Sequence, residues 1–423
     1  MTSIQPPARS TDTTPSGALA MSTIAFTVCF AVWTIFSVIG VRIKEELGLS
    51  ETEFGLLAGT PILTGSLVRI VLGIWTDRYG GRLVYTATMA AAALATFLLA
   101  YASTYAQMLL AALGIGIAGG SFAVGVAYVS RFYPAGKQGT ALGIFGVGNV
   151  GAAVTKFIAP FVLIAWGWQA VAQIWAAGLL VMAIVFWFTT GDDPVIRERR
   201  KNGAAPRAFL AEFAPLRDLR VWRFALYYFF AFGAFVALSL WLPRYLIGVY
   251  GFDITTAGMI AAAYSIPASI FRAYGGVLSD RRGARTVMYA MFLVSAVATL
   301  FLSLPPHTLT GFSGSVTYRF EIGPVPFVIL IFVLGFFMSL GKAAVYKHIP
   351  VYYPHNVGAV GGLVGMIGGL GGFILPIAFG ALRDLTGLWT SCFMLLFVIV
   401  AVSLAWMHLA IRRIDRQTQL QPA

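Results

Sequence analysis

Two arginines set among apolar residues are the side chains of this 423-residue chain best placed to do chemistry. Arg69 lies in GSLVRIVLGIWTDRYGGR and Arg272 in SIFRAYGGVLSDRRGAR. A guanidinium stays charged and presents a planar fork of donors, which suits a flat oxyanion. The neighbours repeat with them. Arg69, Gly73, Asp77, Arg78 and Arg82 recur as Arg272, Gly276, Asp280, Arg281 and Arg285, each pair 203 positions apart. The chain therefore has two related halves, and each contributes one such arginine.

Other basic residues fall in or beside apolar runs: Lys156, Lys342 and Lys347. All 16 carboxylates lie in connections, tails or the ends of runs. Cations without counter-ions at membrane depth are unfavourable until something negative arrives, so the missing counter-ion is expected to be the substrate. Lys156, near the external end of its span, is expected to snorkel or to bond backbone carbonyls instead. Lys342 and Lys347 are candidates for a coupling role.

The elements that must hold these residues follow from composition. The chain is 59% hydrophobic and 11% charged, with a mean hydropathy of +0.82. A soluble domain carries about a quarter charged residues, so this is an integral membrane protein. Twelve continuously apolar runs are each long enough for a spanning helix, which needs about 20 residues. A β-barrel would show short alternating segments instead. The expected architecture is all-α, with twelve transmembrane helices in two pseudo-symmetric six-helix bundles. The divisions are a disordered tail over 1–18, bundles over 19–190 and 224–411, a linker over 191–223, and a tail over 412–423.

The net charge of +13 is explained by topology. The basic excess sits in the connections on the side of both termini, while Glu45, Glu46, Glu51 and Glu53 lie on the other. That asymmetry places both termini and the linker in the cytoplasm and calls for no nucleic-acid partner. Cys29 and Cys392 fall inside spans and are expected to pack as small apolar residues. Spans five and eleven are dense in glycine, which lets helix backbones approach closely. The turns Asp77/Arg78/Arg82 and Asp280/Arg281/Arg285 lie at the cytoplasmic edge. They are expected to hold one transport state through ion pairs and helix-end contacts, so Asp77→Asn should change turnover and spare affinity.

The charged turn GxxxDRxGxR after span two, repeated after span eight, resembles the signature loop of the major facilitator superfamily. More specifically, the chain resembles the nitrate/nitrite porter family. An arginine in each of spans two and eight, GIFGVGNVG around Asn149, GMIGGLGGF around Gly371, AGGSF, YFFAFG and VYKHIP carry the likeness. The resemblance implies a carrier working by alternating access. It implies an anion clamped by Arg69 and Arg272, hydrogen-bonded by Asn149 and Tyr228, and sandwiched by Phe122 and Phe232. Gly148 and Gly371 would lie near that site on helices that slide past each other.

The family includes proton-linked importers and nitrate/nitrite exchangers. The carboxylate-free interior favours exchange, whereas short loops and the WLPRYL ending of span seven are similar to the importers. The expected function is transport of nitrate, with nitrite carried as well, across a bacterial inner membrane, as nitrate uptake by proton symport or nitrate/nitrite exchange, by a monomer in the lipid bilayer that needs no cofactor or metal. Carriage of another small anion, or anion sensing without flux, are the competing readings. An enzyme is disfavoured because the sequence offers no nucleophile–base pair, metal-ligand cluster or phosphate-binding loop.

Overall fold

In lipid, a backbone can satisfy its own polar groups only within helices or closed barrels, and long apolar runs without alternation take the first route. A computed structural model describes residues 13–194, 196–198, 217–310, 317–352 and 357–420. In it α1 spans Pro15–Leu47, α2 Glu51–Tyr79, α3 Gly81–Leu99 and α4 Tyr105–Ser130. The stretch Thr140–Thr189 has 50 residues, which would be about 75 Å of helix, more than twice a bilayer core. Gly167, at φ 84° and ψ 168°, divides it into α5 (140–166) and α6 (168–189).

The second half follows the same plan. It comprises α7 (Leu219–Tyr250), α8 (Ile254–Ile270 with Arg272–Arg282, bent by 41°), α9 (Ala284–Ser303), α10 (Pro324–Tyr352), α11 (Val357–Thr386) and α12 (Ser391–Leu420). Among the described residues twelve spans result, as the apolar runs predict. Between α9 and α10 an antiparallel hairpin pairs β1 (His307–Thr310) with β2 (Thr317–Phe320). The first helix begins at Pro15, capped by the Thr14 hydroxyl, and the last continues to Leu420. Both therefore run past the tail boundaries at 18 and 412. Most of the 191–223 linker lies outside the described residues.

The repeat is written in the backbone. Gly48 and Gly251, again 203 apart, end α1 and α7 in the left-handed region at φ 64° and 66°. Gly80 and Gly283 take φ 96° and 83° at the turns after α2 and α8. Ser50 and Asp253 cap α2 and α8. Ser50 forms a reciprocal box with Glu53, whose carboxylate accepts from the Ser50 backbone N–H at 2.8 Å. The Asp253 carboxyl is held below the usual carboxylate range, first by the Thr256 hydroxyl. Ser50→Ala should lower stability by about 1 kcal/mol, read as a lower midpoint of thermal unfolding.

The two bundles meet through α2–α11 and α5–α8. The pairing is again related by the repeat: a Cβ on Gly55 would lie 2.3 Å from the Pro376 carbonyl oxygen, and one on its counterpart Gly258 2.3 Å from that of Lys156. Side chains are excluded at both points. These contacts lie toward the face opposite the chain ends, here called the distal face.

There the bundles are also clasped by charge. Arg244 on α7 donates to both Glu51 carboxylate oxygens at 2.5 and 3.2 Å, and Lys44 pairs with Glu51 at 3.5 Å. Asp384 at the end of α11 accepts from the Thr52 backbone N–H at 2.9 Å, completing the cap of α2.

The terminal face is held by contacts within each bundle. Arg82 donates to the Trp187 carbonyl at 2.6 and 3.0 Å and lies over its ring. Arg131 joins buried Asp193 at 3.0 Å. Arg285 donates to the Tyr352 hydroxyl, Asp280 pairs with Lys347, and Arg281 is exposed. The side chains of Asp77 and Arg78 lie outside those described.

Candidate functional site

The site is built where the two helix pairs cross at mid-span. Arg69 projects from α2 and is buried, 6% exposed. Its Nη1 donates to the Gly365 carbonyl of α11 at 3.1 Å, and its Nε to the Gly119 carbonyl of α4 at 3.4 Å. Aromatic rings surround the guanidinium: Trp33 at 5.5 Å, Phe122 at 5.4 Å and Phe232 at 5.5 Å. An aromatic face attracts a cation by its quadrupole, which partly compensates for the lack of a carboxylate.

Arg272 starts the second arm of α8, just past the bend at Phe271, and is 7% exposed. Its guanidinium lies 5.6 Å over the same Phe122 ring and 6.0 Å over Tyr346. It crosses to the other bundle, where a Cβ on Gly146 would come within 3.1–3.3 Å of its side chain. Nη1 of Arg272 has no hydrogen-bond partner among the described residues. Phe122 is thus shared by both arginines, which are brought together from separate halves.

Asn149 sits in a short 3-10 turn, Val147–Val150, one turn along α5 from Gly146. It is fully buried, and neither its Oδ1 nor its Nδ2 has a partner among the described residues. Buried polar groups are nearly always bonded, so an unpaired amide one helical turn from the Gly146 that Arg272 approaches, and an unpaired nitrogen on that arginine, need an explanation. A small polar ligand able both to accept from the arginine and to bond the amide provides one.

The rest of the aromatic wall comes from α7 and α10. A π-helical turn, Phe229–Ala234, interrupts α7, a distortion often found at functional sites. Tyr228 stacks on Phe232 at 5.2 Å and meets Tyr346 edge-on at 4.9 Å. Gly148 and Gly371 take packing positions beside these residues. The first faces the Phe26 ring, and the second faces Phe229 and Gly233.

The lysines of these spans have other partners. Lys156 donates to the Ser239 carbonyl at 3.0 Å, across the bundle boundary. Lys342 donates to the Ala268 carbonyl at 2.5 Å and lies 3.6 Å over the Phe235 ring. Lys347 is bound to Asp280 at the terminal face, away from the arginines.

Sequence reasoning missed Trp33, Tyr346 and the carbonyl of Gly365 as parts of this wall. Tyr346 was within reach, since it precedes Lys347 in VYKHIP and so shares the motif. Trp33 carries no comparable signal. Its indole N–H donates to the Pro61 carbonyl at 2.7 Å, which fixes the ring beside Arg69.

Two repeat-related bundles of six spans with a pair of buried arginines between them at mid-span have the plan of a transporter. A family model, Major Facilitator Superfamily, matches residues 21–318 and 250–422. Two solved structures share the fold. One is a bacterial homolog of the human lysosomal transporter Spinster in an inward-facing, unoccupied conformation, with a TM-score of 0.69 and 19% identity, covering 96% of this chain and 98% of that one. The other is a point mutant of the nucleoside transporter NupG, with a TM-score of 0.70 and 15% identity, covering 92% and 99%.

Among curated proteins, "Probable nitrate/nitrite antiporter NarK1" of Thermus thermophilus is 43% identical over 94% of this chain and 92% of that protein. "Nitrite extrusion protein" of Bacillus subtilis is 29% identical over 92% and 94%. "Probable nitrate/nitrite transporter NarK2" of Mycobacterium tuberculosis is 31% identical over 86% and 89%. The chain belongs to the nitrate/nitrite porter family of the major facilitator superfamily.

Proposed function

We propose that this protein carries nitrate and nitrite across the cytoplasmic membrane, with both termini and the linker in the cytoplasm. The observation that carries the reading is the pairing of two buried arginines on one aromatic ring, together with a buried, unpartnered amide one helical turn from the Gly146 that Arg272 approaches. A planar monoanion can accept from both guanidinium forks and lie against the aromatic rings around them. Larger or doubly charged anions would call for further donors around the same pocket. The names borne by relatives along nearly the whole chain support the same substrate.

Exchange of nitrate for nitrite is the coupling the pocket favours. With no carboxylate in the wall among the described residues, the empty site keeps two cations without a counter-ion, and reorienting it without an anion is costly. The loaded pocket retains one net positive charge. An inside-negative potential therefore favours movement of that charge inward if both arginines move with the anion.

The test uses purified protein in liposomes with labelled nitrate outside. Uptake only into nitrite-loaded vesicles supports exchange. Uptake into empty vesicles that collapses with the proton gradient means symport, and no uptake in either case removes the substrate assignment. Asn149→Ala should weaken nitrate binding by about 1–3 kcal/mol, roughly 5- to 150-fold in Kd. Calorimetric titration measures it, and an unchanged Kd takes Asn149 out of the site.

A further inference from the structure

A second basic cleft lies apart from the anion pocket, at the terminal face of the C-terminal bundle. It opens between the starts of α7 and α9 and the ends of α10 and α12. Arg220, Arg223, Arg285 and His348 reach into it, and among the described residues its lining holds no carboxylate.

The basic groups are set by aromatic packing. Arg285 donates to the Tyr352 hydroxyl at 3.0 Å, and the Arg220 guanidinium lies 5.9 Å over the Tyr352 ring. The His348 ring lies 5.9 Å from that ring and parallel to it. Its Nδ1 meets the Ala344 carbonyl at 3.0 Å, so Nδ1 holds the hydrogen and Nε2 is left for another partner. Nε of Arg223 is buried and has no hydrogen-bond partner among the described residues. The remaining wall is apolar, with Met288 from α9 and Met407 and Ile411 from α12.

We propose that this cleft holds the phosphate headgroup of an anionic phospholipid. Basic pockets between spans at a membrane face recognise such headgroups. The apolar wall supplies what free phosphate would not use, a surface for the first segments of acyl chain. The position supports the same occupant. α12 is little enclosed, with only 22% of its apolar window buried inside the protein, so the cleft borders lipid. The proposal stands independently of which anion the central pocket carries.

The full chain, purified in detergent, is titrated with phosphatidylglycerol or phosphatidylcholine and bound lipid is counted by native mass spectrometry. Phosphatidylglycerol should bind at least roughly tenfold more tightly than phosphatidylcholine. Arg223→Gln and Arg220→Gln should each lower that affinity roughly fivefold, and Arg223→Lys should restore most of it. Arg220 is exposed, so its substitution leaves folding intact if the Arg223 variant does not. Equal binding of the two lipids, or affinity unmoved by either glutamine substitution, overturns the assignment. Displacement of phosphatidylglycerol by millimolar inorganic phosphate overturns it too, by making the cleft a site for free phosphate.

Discussion

Arg272→Lys should lower nitrate uptake roughly 10- to 150-fold, the loss expected for one charge-assisted hydrogen bond of about 1.5–3 kcal/mol. A lysine keeps the charge and loses the fork, so charge alone is held constant. Because Arg272 Nη1 has no protein partner among the described residues, the loss should fall on anion affinity. Arg69→Lys should lose as much and also slow turnover, since Arg69 ties α2 to the Gly365 carbonyl of α11. Initial uptake rates over a range of nitrate concentrations in liposomes separate the two effects. Wild-type uptake in either variant would remove the clamp.

Gly55→Val should hold the distal face open and reduce uptake at least tenfold. The 2.3 Å approach of its would-be Cβ to the Pro376 carbonyl is far below any real contact, and the obstacle is backbone, which cannot swing aside. The bundles would have to part where Arg244 and Glu51 clasp them, so that ion pair should be lost as well. The readout is the distance between spin labels at Ser103 and Thr386, on the two sides of the distal face, which should lengthen. Gly178→Val, at an α6 position with nothing within 4 Å, is the control and should transport normally. An unchanged label distance in the Gly55 variant would contradict the closure described for this face.

Twelve spans and a duplicated architecture were legible in the sequence because hydrophobic length and a fixed 203-residue offset are local, countable signals. The same offset picked out Arg69 and Arg272, which the structure brings onto one Phe122 ring. What stayed hidden depends on how the halves face each other. Asp384 caps a helix 332 positions away, and Arg244 reaches Glu51 from the other bundle. Neither pairing has a spacing to read. Tyr346 joins the pocket because α10 turns that side inward, and its motif drew attention to the adjacent lysine instead.

The hydrogen bond from Arg69 to the Gly365 carbonyl has a further consequence. A carbonyl oxygen is a weak, permanently attached imitation of an anion's oxygen, and it comes from the opposite bundle. An arriving anion that takes over this fork is therefore exchanged for a ligand already present. Its measured affinity is then the difference between two bonds, smaller than the strength of either. A carrier that must release its cargo as readily as it takes it up is served by such a surrogate, which refills the donor each time the anion leaves.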